Sequence, residues 1–396
     1  MQKHPARSLH RVALSVAMIM ACSQDTTRIQ ALDDPPVAFR VELDLRIDGS
    51  GADSEQFMSS IAGLKIDESG RILAADVNES RITMFDSTGR WIRNIGRQGN
   101  GPGEFSSIGT FGFFSDSIWV IDPDAKRVQL FLADGSFARM FECSVQPSDP
   151  TAYSSAPPAA YLGNGRVLAR LEPKSWQGIG DSVRLPDLLV TATESGVVAD
   201  TLSALPMPWS EIIHYSTTSM SRPYPIRTTP YFVVAPRTPE LAVVLRPDPT
   251  DERGGVYKVV RYHGDQLGSD TVVMSYSPRR VDQRIIDSLI PWPETEDLPA
   301  LRDLNRARRE HARWPKFLPA VNRTIIGRDG SLWLANDWSL TPSRWLVLSP
   351  DNRVVGAVDL PQKLRVLQAD TMRVWGVELS DSDVPSVVRY RLVSTR

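Results

Sequence analysis

The sequence predicts an all-β fold, a six-bladed β-propeller with one small helical hairpin inserted between blades four and five. Three observations predict it. First, the stretch from Leu64 to Phe105 recurs forty-six residues on, so that Asp76, Arg81, Ile82, Met84, Phe85, Gly89 and Trp91 find Asp122, Arg127, Val128, Leu130, Phe131, Gly135 and Phe137 at constant offset. A repeat of 40 to 50 residues built from short strands and turns is the mark of propeller blades. Second, Phe39, Val41, Leu43 and Leu45 alternate with polar partners but have no hairpin mate nearby, as expected of a first strand that completes the last blade. Third, at 396 residues, 41% hydrophobic and 23% charged, the chain can bury a sizeable core. A repeat array of this length reads as one body rather than two or three domains.

The elements follow in order. Residues 1–21 hold Lys3, Arg7 and Arg11 with no acid, then an apolar run from Val12 to Ala21 that is too short to span a bilayer. This is the pattern of an export signal. Ile19-Met20-Ala21-Cys22 resembles a bacterial lipobox, which implies cleavage before Cys22 and lipidation of that residue. A diacylated cysteine anchors stably without a helix. The alternative is a plain secretory signal with a cysteine near its cleavage site. Ser23 at the next position points to the outer membrane or the periplasm-facing envelope. Residues 22–36 are polar and patternless, suiting a flexible tether, and 37–396 form the propeller.

Blade one runs from about Gly63 to Ile95 and blade two from about Phe111 to Phe141, with hairpin turns at Asp67–Gly70 and Asp86–Gly89. Blade three is looser, broken by the insertion from Arg170 to Pro186. Blade four is read from Tyr231–Ala235, Leu241–Leu245, Tyr257–Tyr262 and Thr271–Met274. The alternation then stops. Val281, Ile285, Ile286 and Leu289 take helical spacing, with Ser277 as N-cap and Pro278 at the first helical position, and Leu298 to Ala312 reads as a second helix. The insertion spans about 278–313. Its basic end, Arg306 to Arg313, is either a solvated helix face or a lid over one mouth of the propeller. The repeat resumes at Asp329–Asn336, and the last blade takes Val366–Ala369, Val374–Leu379 and Val387–Val393, leaving a place for the N-terminal strand.

Asp76-Val-Asn-Glu-Ser-Arg81-Ile-Thr-Met-Phe85, Gly89 to Gly96 and Asp122 to Phe131 resemble NHL-type repeats. With the loop Gly99-Asn100-Gly101-Pro102-Gly103-Glu104-Phe105, the mature chain resembles the bacterial six-bladed β-propeller lipoproteins. That resemblance implies a fold and an address but no activity.

Chemistry is sparsely marked. With the signal removed, 42 basic face 47 acidic side chains, which argues against a nucleic-acid partner. Three histidines remain, His214, His263 and His311, too scattered for a zinc site, and no nucleophile elbow or dinucleotide motif is present. Cys143, at a strand end, reads as a small buried hydrophobe. Asp76, Asp122 and Asn336 recur from three blades. They are either oxygen ligands to a divalent cation or, since Arg81, Arg127 and Arg344 recur with them, turn caps and ion pairs within each blade. The loop from Gly96 to Phe105 lacks the lysine and helix of a phosphate cradle and is either a ligand loop or a blade crossover.

Tryptophans in insertions either grip a sugar or peptide or seal loops onto the body. The candidate binding residues are accordingly Arg97, Asn100 and Glu104 in the glycine loop, with Trp176, Trp292, Arg309, His311 and Trp314 in the insertions. No catalytic residue, metal ligand set or cofactor is read. The expectation is a lipid-anchored monomer that binds a protein or glycan on one propeller face. The alternative is a cation-dependent, lactonase-like hydrolase or lyase acting in the channel.

Replacing Cys22 by Ala is expected to move the protein from the membrane fraction to the soluble one. Membrane retention without a lipid adduct would rule out lipidation at this residue.

Overall fold

The computed structural model describes residues 25–29, 36–50, 56–174, 185–206, 210–215, 218–223, 226, 229–237, 239–247, 254–290, 299–311, 314–335 and 343–395. Strands dominate. Two come before the first blade, β1 (Asp25–Ile29) and β2 (Val37–Asp48). Blade one is the antiparallel meander β3 (Ile61–Ile66), β4 (Ile72–Asp76), β5 (Arg81–Phe85) and β6 (Trp91–Ile95). Blade two repeats it as β7 (Phe111–Phe114), β8 (Ser117–Asp122), β9 (Arg127–Phe131) and β10 (Phe137–Glu142). Asp76 pairs with Arg81 and Asp122 with Arg127 in the same register, so the repeat seen in sequence is a repeat of sheet geometry.

Blade three is β11 (Ala160–Gly163), β12 (Arg166–Leu171), β13 (Asp187–Thr193) and β14 (Val198–Leu205). A separate hairpin, β15 (Ser210–Tyr215) with β16 (Thr218–Pro223), follows it. Blade four is β17 (Tyr231–Val234), β18 (Leu241–Leu245), β19 (Gly255–His263) and β20 (Gly268–Tyr276). Next come α1 (Gln283–Leu289) and α2 (Pro299–His311). Blade five is β21 (Arg323–Ile326), β22 (Leu332–Ala335), β23 (Ser343–Leu348) and β24 (Val354–Leu360). Blade six has β25 (Arg365–Ala369), β26 (Arg373–Leu379) and β27 (Pro385–Ser394).

The fourth strand of blade six is β2, antiparallel to β27 from Phe39 opposite Ser394 to Asp48 opposite Ser386. The lone alternating strand therefore closes the ring. Its role is wider than expected, because Val37 and Phe39 also pair in parallel with Ala357 and Val358 of β24, joining blades five and six into one eight-stranded sheet. The stretch expected as a tether departs from that reading at Asp25–Ile29. There β1 lies parallel to β20 as a fifth strand on blade four, satisfying edge N–H and C=O groups that would otherwise be open.

Each blade packs on its neighbours through apolar layers. Leu73, Ile82, Phe111 and Val120 join blades one and two, while Leu64, Ile66, Trp375 and Val387 join blades one and six across the closure. Trp119, Trp333, Trp345 and Trp375 are among the largest fully buried side chains. Gly89 shows how close this packing runs: at φ +86° its turn leaves an added Cβ only 3.0 Å from Leu45 and Ile47 of the closing strand.

The first insertion helix starts later than its sequence suggests. Asp282, not Ser277, is the N-cap, its carboxylate accepting from the Ile285 N–H at 3.0 Å. The preceding residues are spent on pairing: Val281 N–H donates to Lys316 C=O, and Leu318 N–H donates to Arg279 C=O. Among the described residues no helix is long and apolar enough to cross a membrane.

Deleting Phe39 to Leu45 is expected to destabilise the whole ring. Phe39, Val41 and Leu45 are half-buried, so loss of the segment removes on the order of 2 to 4.5 kcal/mol, a large share of the 5 to 15 kcal/mol typical of a folded protein. Calorimetry checks it. An unchanged melting temperature would mean that the strand does not hold the ring.

Candidate functional site

The recurring aspartates are spent inside their blades. Asp76 accepts from the N–H of Ser59 at 2.6 Å, of Ser60 at 3.2 Å and of Asn78 at 3.2 Å. Asp122 accepts from the N–H of Ser106 and Ser107, and Arg127 binds it at 3.0 Å with both side chains out of solvent. Each carboxylate clamps the strand entering its blade to the turn leaving β4 or β8. Arg344 departs from the pattern by pairing with Asp359, and Asn336 lies outside the described residues. Among the described residues no three His, Cys, Asp or Glu side chains stand together as a metal could use them.

The glycine loop is a self-satisfied crossover. Glu104 takes two hydrogen bonds from Arg97 and one from the Gly101 N–H, and these hold its carboxyl below the usual carboxylate range, the Gly101 bond first. Arg127 donates to the backbone carbonyls of Asn100 and Glu104, and Ser106 donates to the Asn100 side chain. Gly96 has φ +78° with the Phe105 ring 2.0 Å from where a Cβ would sit, so only glycine lets that ring seal the turn.

In the insertion, Arg309 donates to Asp287 at 2.8 Å and to the Ile290 carbonyl, tying α2 to α1. Its guanidinium is thereby taken up in holding the hairpin, and it lowers the Asp287 pKa. Arg306 is exposed and pairs with Asp303. Trp314 packs on the small core of Ile226, Ile285 and Leu318, so it seals the insertion. Ile226 follows β16, and α2 also touches β15, so the two blade-to-blade insertions form one cap. Cys22, Trp176, Trp292, Arg313 and the side chains of Arg308 and His311 lie outside the described residues. Cys143 is buried as expected, and burial, with Glu194 adding to it, pushes its thiol up to about 11.

What the ring does bring together is its axis. The starts of the inner strands are laced into a rim: Thr110 donates to the Ala159 carbonyl, Tyr231 bonds Thr324 at 2.7 Å, Arg323 donates to Val366 and Arg365 to Ile61. Both insertions return to the body at this rim, before Tyr231 and before Arg323. At the other end the loop from Ala235 to Glu240 crosses the floor. Phe113 N–H of blade two donates to the Pro236 carbonyl at 2.8 Å, and Arg237 of blade four pairs with Glu68 of blade one. Blades one and four stand opposite each other in a ring of six. The pair therefore spans the axis.

Between rim and floor lies a cavity of about 520 Å³, within the range of small-molecule sites. Its wall is mostly apolar, including Phe111, Ile121, Phe232, Val234, Ile325 and Leu367. Its polar side chains are few, among them Thr110 and Thr324 at the rim. Lys65, on β3, is the single titratable side chain among the described wall residues, has no described hydrogen-bond or ion-pair partner, and is pushed down to about 8 by burial. Gln368 on β25 and Trp119 on β8 are each 1% exposed, and their side-chain nitrogens, without a partner among the described residues, are closed off from the cavity.

A family model described as a 6-bladed beta-propeller matches residues 53–156. This covers blades one and two. No curated protein matches the chain. The chain is also similar, at low identity, to solved structures. A Bacteroides fragilis protein described as exported is 10% identical over 94% of this chain and 100% of its own, with a TM-score of 0.44. The virginiamycin B lyase of Staphylococcus aureus is 10% identical over 90% and 100%, at 0.37. The PQQ-bound aldose sugar dehydrogenase of Streptomyces coelicolor is 13% identical over 91% and 100%, also at 0.37. The count of six blades stands on the strand pairing above and on the matched family description.

The channel groups are absent from the sequence reading. Lys65 sits in Ile61-Ala-Gly-Leu-Lys-Ile66, where alternation makes it look like the solvent side of a strand. The available signal was that β3 is an inner strand, whose two faces are both enclosed by neighbouring blades.

Two outcomes test this geometry. Asp122→Ala strands the buried Arg127 cation and is expected to cost about 3 to 5 kcal/mol in chemical denaturation; a loss under 1 kcal/mol would refute the clamp. For Lys65 the sign follows from linkage. The unfolded amine holds its proton to about 10.5, the folded one sheds it near 8, so between these values the unfolded chain binds more protons and stability rises with pH. Lys65→Met should therefore melt higher than the parent at pH 7, with the gap narrowing towards pH 10. A gap independent of pH would show the amine to be paired.

Proposed function

We propose that the protein is an exported, lipid-anchored binding propeller that holds a small ligand in its axial channel. The observation that carries this reading is the cavity itself. An apolar space with a rim, a floor and one lysine without a described partner has the composition of a binding site, and leaving an ammonium unpaired in such a space costs stability that packing alone would not retain. The candidate residues for a protein or glycan on the outer faces, where described, are engaged by the fold: Arg97, Asn100 and Glu104 in the loop, Arg309 and Trp314 in the cap. Export and lipidation at Cys22 belong to the same proposal, supported by the signal-like residues 1–21. The cation-dependent hydrolase draws no support from the described carboxylates, since Asp76 and Asp122 already clamp backbone N–H groups.

Ala62 lines the cavity and is exposed to it, so Ala62→Trp should fill the channel without disturbing the blades. With 1-octanol as an apolar probe, the parent is expected to be stabilised, by about 2.7 kcal/mol at a hundredfold excess over Kd, and the filled variant is not. Absence of stabilisation in the parent, or equal stabilisation in both, would overturn the channel as the binding site.

A further inference from the structure

Lys65 is the lone titratable group among the described wall residues and has no described hydrogen-bond partner or counter-ion. Its ammonium is a donor only, so a ligand able to satisfy it must bring an acceptor and one negative charge. As the fifth residue of β3, an inner strand that starts at the rim, Lys65 stands towards the floor. The opposite rim carries two further cations, Arg323 and Arg365, and burial together with Arg323 draws Arg365 below its ordinary pKa. Positive potential at the mouth of an apolar-walled channel concentrates anions there.

We infer that the channel binds an apolar monocarboxylate, its carboxylate seated towards the floor against Lys65 and its hydrocarbon body on the apolar wall. This rests on the channel reading above and adds the ligand class. An ionised carboxylate on an ammonium makes a charge-assisted hydrogen bond, about twice as strong as a neutral one. A dianion would leave half its charge without a cation in the described cavity wall. A neutral alcohol would leave the ammonium without a counter-ion. The cavity of about 520 Å³ exceeds the volume of a chain of eight carbons, so octanoate is a suitable probe.

Titration calorimetry of the full mature protein with octanoate and with 1-octanol at pH 7 separates the two levels of the argument. The expected result is that octanoate binds at least tenfold more tightly than octanol, that Lys65→Met removes this preference while octanol affinity stays within threefold, and that Lys65→Arg keeps it. Ala62→Trp should abolish binding of both. Equal affinity for octanoate and octanol, or an octanoate preference that survives Lys65→Met, would overturn the carboxylate assignment while leaving the channel as a site. Failure of both probes to bind, or binding that Ala62→Trp leaves intact, would overturn the channel itself and the inference with it.

Discussion

The strand Val37–Asp48 holds both ends of the chain in one sheet, and every other feature presupposes it. By pairing with β27 it supplies the outer edge of blade six; by pairing with β24 it welds blades five and six together. Leu45 and Ile47 then reach the turn of blade one at Gly89, where an added Cβ would be crowded at 3.0 Å. Without closure, six blades would be an open stack with an apolar face bare at either end. With it, the inner strands are forced into a ring, and the ring has an axis.

An axis alone would be a pore. Here the chain treats its two ends differently. At the rim, hydrogen bonds between neighbouring inner strands leave a mouth beside which the insertions return to the body. At the floor, a loop from blade four reaches across to blades two and one, with the Arg237–Glu68 pair spanning the diameter. Both partners of that pair are well exposed, so it defines the geometry of the floor more than it adds to stability. The result is a pocket with apolar walls, in which a small number of unmet donors have far more influence than they would on a surface.

The buried polar groups sort into two kinds. Asp122 with Arg127, and Asp76 with its backbone donors, are satisfied networks that hold loops to blades. Lys65 has no described partner and lines the cavity. Other groups without a described partner, such as the Gln368 amide nitrogen and the indole nitrogens of Trp119, Trp345 and Trp375, are closed off from solvent. It is a lone ammonium on an apolar wall that marks the channel.

The sequence by itself determined the propeller, because blade structure is written in local patterns: period-two strands, Asp-to-Gly turns and a repeat at a constant offset of forty-six residues. It also determined which strand closes the ring, since an alternating strand without a neighbour must pair with something distant. It misplaced the start of α1, because the pairing of residues 279–281 with 316–318 is a tertiary contact that outcompeted the local cap at Ser277. Its candidate binding residues were exposed-looking polar and aromatic side chains in loops, and several of those proved to be clasps. Only the tertiary structure decided the channel. Its wall residues come from blades far apart in the chain, and what sets Lys65 apart is an ammonium on an apolar wall without a described partner, a property that exists only once the ring has closed around it.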